Sequence, residues 1–96
     1  MLTHVVLFKF NPDSGEPAIQ RALAALRELP GKISEIQEFR VGADIVRSER
    51  SYDLALVSSF TDLDALQRYQ VHPEHQKFVA YLKTVATSIV AVDFLN

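Results

Sequence analysis

Residues 2–10, LTHVVLFKF, narrow most sharply what this chain can become. β-Branched and aromatic residues dominate the segment, which is the composition of a strand. On a strand, His4, Val6, Phe8 and Phe10 share one face, and Thr3, Val5, Leu7 and Lys9 share the other. Both faces are mostly apolar. A sheet built around such a strand needs cover on both sides.

The remaining pattern supplies cover for one side. A turn cluster, Asn11 to Gly15, leads into a helix from Glu16 or Pro17 to Leu29, closed by Pro30-Gly31. Ile19, Leu23, Leu26 and Leu29 form its apolar face, with Ala22 and Ala25 as small neighbours and Gln20, Arg21, Arg27 and Glu28 on the wet side. Residues 34–43 read as a second strand, in which Gly42 marks a bulge or a close backbone approach. After a polar connection, residues 52–60 read as a third strand, with Tyr52, Leu54, Leu56, Ser58 and Phe60 on one face. Thr61 or Asp62 caps a second helix, which breaks at His72-Pro73 because the residue before a proline is pushed out of the α region. A helix restarts at Pro73, and Thr87 to Phe94 read as a fourth strand.

The order is β-α-β-β-α-β, the α+β ferredoxin-like arrangement of a four-stranded antiparallel sheet. Ninety-six residues hold one such domain, spanning 1–96. Helices cover one sheet face only. The opposite face keeps Val5, Leu7, Ala55 and Val57, together with either Ile36 or Phe39. A contiguous apolar patch of this kind is a liability in a monomer, and a second copy buries it most simply. The expectation is a homodimer through the sheet face opposite the helices. The plain alternative is that these residues are scattered surface apolars.

Composition excludes more than it assigns. Ten Lys and Arg against twelve Asp and Glu give a net charge of −2, so neither nucleic acid nor an anionic membrane is an expected partner. The absence of cysteine removes disulfides, thiolate metal sites and thiol catalysis. The apolar run Val5–Phe8 is too short for a secretory signal, and no stretch matches a membrane span, so the expected location is the cytoplasm.

Three histidines carry what chemistry there is. His75 is in helical phase with Phe78, Val79 and Leu82, so it points toward the sheet. His4 lies on a sheet face that can meet it, and Tyr69 can reach the same space across the proline break. A partly buried imidazole is the usual general base, and a phenol beside it can donate to a carbonyl or enolate oxygen. The other reading makes His75 and Tyr69 core residues whose polar atoms find protein partners. His72-x-x-His75 has the spacing of a metal pair, but Pro73 takes His72 off the helix and the HExxH pattern is absent. Ser58-Ser59 lacks the glycines of a nucleophile elbow, and Asp53 and Asp93 read as solvated or salt-bridged strand edges.

The segment Tyr69-Gln70-Val71-His72-Pro73-Glu74-His75 followed by Phe78, the strand HVVLFKF at 4–10, Gly42 with Asp44, and YDLAL at 52–56 leading to Phe60 resemble the stress-responsive A/B barrel (Dabb) domain family over nearly the whole chain. The resemblance implies a ferredoxin-like fold that pairs into a dimeric β-barrel. The family includes a plant polyketide cyclase that needs no cofactor and closes a ring with a His–Tyr pair. Carried over, its base falls on His75, its tyrosine on Tyr69 and its strand-one histidine on His4. A further pocket tyrosine of that enzyme falls on Ala22 here, so its contact is lost. Other members are stress-associated oligomers. Two functions follow: a cofactor-free lyase or cyclase acting on a small carbonyl compound, or a non-catalytic, stress-related dimer binding a small hydrophobic ligand. An oxygen-using monooxygenase of related dimeric barrels has no specific residue in its favour.

Overall fold

β1 (Leu2–Phe10) lies inside the sheet, paired on both edges. Its even-numbered residues are buried and its odd-numbered residues are more open, the alternation a pleated strand imposes. The computed structural model describes residues 1–96. Gly15, at φ +67°, turns the chain into α1 (Gly15–Glu28), a conformation that favours glycine. A single 3₁₀ turn over Leu29–Gly31 follows. Then come β2 (Glu38–Ala43), β3 (Leu54–Phe60), α2 (Leu63–Val71), α3 (Pro73–Val85) and β4 (Ala86–Leu95). The sheet order is β2-β3-β1-β4, antiparallel throughout. This is the ferredoxin-like α+β fold.

The core lies between the helices and the even face of β1. Phe8, Leu26, Ile33, Leu54, Leu56 and Phe60 are almost wholly buried there. Each such side chain contributes about 1.5–3 kcal/mol relative to exposure. α1 buries Ala18, Ile19, Ala22, Leu23 and Leu26, the face that its periodicity predicts.

Several local expectations need correction. Residues 34–37 form a turn and a bend, so β2 starts at Glu38. Neither Ile36 nor Phe39 lies on the open sheet face. Phe39 pairs with Ser58, and both it and Ile36, which precedes the strand, pack on the core. Gly42 pairs regularly with Ala55, and an added Cβ would meet nothing within 4 Å, so it marks neither bulge nor close approach. The irregularity instead falls between Lys9 and Phe10, opposite β4. β3 starts at Leu54, and Tyr52 leaves the Leu54 face. Its ring lies beneath Lys9, Nζ to centroid 5.4 Å, and its hydroxyl meets Ser88 Oγ at 2.9 Å.

The open face of the sheet carries Val5, Leu7, Ala55 and Val57, and β4 adds Val90, Val92 and Phe94 opposite Leu7, Val5 and Thr3. Val92 is 64% exposed and Phe94 48%. β4 was thus the larger share of the surplus apolar surface. No helix is long and apolar enough to cross a membrane.

Candidate active site

The break between α2 and α3 builds the site. His72 takes an extended conformation, φ −63° and ψ 137°, as a residue before proline must. In an unbroken helix the Glu74 N–H would donate to the Gln70 carbonyl. Here it donates to His72 Nδ1 at 3.1 Å instead. The Gln70 carbonyl is left free, and His75 Nδ1 donates to it at 3.0 Å. A carbonyl only accepts, so Nδ1 carries the proton and the neutral ring keeps its lone pair on Nε2. Gln76 Nε2 donates to the same carbonyl at 2.9 Å.

Tyr69 stands one turn before the break. It is 1% exposed, its ring centroid is 4.5 Å from that of His75, and the planes meet at 53°. Phe60 packs on its other side, centroid to centroid 4.9 Å. No protein group bonds its hydroxyl, and no buried side-chain oxygen or nitrogen is sealed without a partner, so the hydroxyl keeps a small opening, at the cavity that Tyr69 lines. Burial pushes the phenol well above its ordinary value of 10, which keeps it a proton donor at any physiological pH.

His4 reaches the same space from β1. Its ring is edge-on to Tyr69 at 6.3 Å. The residue is buried, and its Nδ1 is paired with the Asp93 carboxylate of β4. Asp93 is the direct strand partner of His4, which explains the contact. Asp53 is elsewhere, accepting from the Phe10 backbone and from Arg47 at 2.8 Å.

His4, Tyr69 and His75 line one cavity of about 250 Å³ between α3 and the sheet. Val6, Phe8, Leu26, Leu56, Phe78, Val79 and Leu82 form most of its wall, with Ile89 and Ala91 of β4 at the open side. Burial lowers the His75 pKa below 6.5; the Gln70 carbonyl pulls the other way, and His4 and His72 add to the lowering. Ala22 is fully buried in α1 and takes no part in the lining, where Leu26 stands instead. His72 is occupied in capping α3, and no group of three His, Asp or Glu side chains is placed to hold a metal. Sequence reasoning missed three parts: the Asp93 clamp on His4, the Gln70 carbonyl and the β4 wall. Only strand register reveals the first and third. The proline break signalled the second.

A larger open concavity of about 510 Å³ lies on the other sheet face, around Leu7, Arg40, Gly42, Tyr52 and Val57. It contains no imidazole. The chemistry-bearing groups belong to the smaller cavity.

Comparison with known proteins agrees with this architecture. Residues 2–96 match the stress responsive A/B barrel domain, Dabb. The chain belongs to that family. An uncharacterized protein of Streptomyces coelicolor is 38% identical to this Dabb chain over 93 residues, 95% of this chain and 96% of the relative. A dimeric protein of unknown function with a ferredoxin-like fold, from Bacteroides fragilis, is 31% identical with a TM-score of 0.89, covering 99% of this chain and 95% of that one. A hydroxynitrile lyase from Passiflora edulis shares the fold at a TM-score of 0.85 and 17% identity, over 99% of this chain and 93% of that one.

Proposed function

We propose that this Dabb protein is a cofactor-free lyase or cyclase acting on a small carbonyl compound, with His75 as general base and Tyr69 as the group that holds the oxygen. The observation that carries the reading is the shared cavity. A base with its lone pair on Nε2 and an unpartnered phenol line one apolar hollow. His75 Nε2 takes a proton from the carbon next to a carbonyl, becoming an imidazolium whose Nδ1–H stays on the Gln70 carbonyl. The C–H electron pair moves onto the carbonyl oxygen, which Tyr69 holds by hydrogen bond. In a ring closure the enolate carbon then attacks a second carbonyl, and the new alkoxide takes the proton back from His75. A lyase runs the same steps in reverse. His4, fixed by Asp93, polarises or shapes the wall.

Exchange of α-hydrogens for deuterium tests this directly. Methyl ketones in D₂O should lose their α-protons faster with the protein than without it. His75→Ala should abolish the catalysed part, and Tyr69→Phe should reduce it by about a hundredfold, the scale of one lost oxyanion donor. Catalysed exchange that survives His75→Ala would refute the assignment of the base.

The apolar lining also supports the second reading, a non-catalytic module binding a small hydrophobic ligand. Binding without any exchange would favour it. In either case we propose an isologous homodimer through the open sheet face, supported by its exposed Val90, Val92 and Phe94 and by the dimeric relative.

A further inference from the structure

We propose that the cavity takes an uncharged carbonyl compound with an apolar tail, its oxygen at Tyr69 and its tail running out past Ile89 and Ala91 along β4. This rests on the reading above for where the oxygen sits, and it adds the class of ligand.

Charge is the first argument. The lining contains no lysine and no arginine. Tyr69 is a neutral donor, and burial favours the neutral ring of His75. No aspartate or glutamate lines the cavity either; the Asp93 carboxylate is outside the lining, paired with His4 Nδ1. A carboxylate entering this space would shed its water without meeting a free cation, and that desolvation is costly. A ketone or aldehyde oxygen needs only the Tyr69 donor.

Shape is the second. The three polar side chains that carry the chemistry gather at one end, where α2 meets α3. From there the wall runs through Phe78, Val79 and Leu82 to β4. Ile89 lies opposite Phe8 in register and Ala91 opposite Val6, so both are on the helix side of the sheet. Yet Ile89 remains 47% exposed, because β4 is an edge strand that the helices overhang only in part. An apolar strip therefore continues from the closed end of the cavity to its mouth. A hydrocarbon tail laid there covers Ile89 and leaves its own end free.

A homologous series decides the matter. The probes are 2-butanone, 2-hexanone and 2-octanone, with octanoate as the charged match to the longest. Binding is read at pH 8 from the His75 and His4 imidazole signals in NMR titrations. Affinity should rise by up to about fourfold for each added methylene that becomes buried. Octanoate should bind at least about tenfold more weakly than 2-octanone. Ile89→Asn should flatten the gain from 2-hexanone to 2-octanone. Equal affinities along the series, octanoate as tight as 2-octanone, or no binding of any ketone would each overturn the proposal. Measuring α-exchange on the same samples separates the two claims. Graded binding without exchange removes the catalytic reading and keeps the ligand class. Exchange without grading, or with octanoate binding equally well, does the reverse.

Discussion

At the residue scale, His75 ties the proposed function to pH. Free imidazole titrates near 6.5, and burial among Tyr69, Phe78 and the cavity wall favours the neutral ring, so the folded value is lower. In the window between the two values the unfolded chain binds more protons than the folded one. Stability due to this residue is therefore complete above pH 6.5 and falls as the pH drops through that window. In the proposed reaction His75 is active as a base when neutral. The acid limb of the α-exchange rate is thus expected below pH 6.5, and the NMR titration of the His75 ring should place its midpoint there too. A limb above 6.5 would mean that the ring is solvated or faces a negative charge. Tyr69 sets no alkaline limb in the working range, since burial raises its pKa above 10.

At the scale of elements, the α2–α3 junction is what aims His75 at the cavity. Pro73 occupies the first position of α3, where its fixed φ suits the helix and its missing N–H costs nothing. Replacing it with Ala should lower stability by about 0.4–1 kcal/mol, as released backbone entropy predicts. It should also let Glu74 N–H compete for the Gln70 carbonyl, and so slow α-exchange by more than the lost stability explains. Chemical denaturation and the exchange rate check the two effects separately. This junction was legible in the sequence, because proline restricts its predecessor by local sterics alone. The phase of His75 with Phe78 and Leu82 was legible for the same reason. Phe39 was not, since the start of β2 depends on where the chain leaves its turn, and one residue of offset reverses a strand's faces. Asp93 also escaped. Its meaning lies in pairing with a residue at the far end of the sequence, which no local pattern encodes.

At the scale of the whole molecule, the sheet face away from the helices dominates. Val5, Leu7, Val90, Val92 and Phe94 lie side by side on β1 and β4. Such a face in water costs free energy that a second copy would recover. Val92→Asp should leave the protomer folded, because the residue is 64% exposed within it. The same change should weaken self-association by about 3 kcal/mol or more, over about a hundredfold in Kd. Sedimentation velocity would show a shift from dimer to protomer, and an unchanged dimer would place the contact on another surface. The same two strands have a second effect, through the seam that joins His4 to Asp93 across 89 positions of sequence. Closing so wide a loop is slow, and nothing local stands in for it. While β4 is still inside the ribosome the polypeptide has its imidazoles and its phenol but not the β4 wall of the cavity, so the ligand capture proposed above would begin only after synthesis has passed that strand.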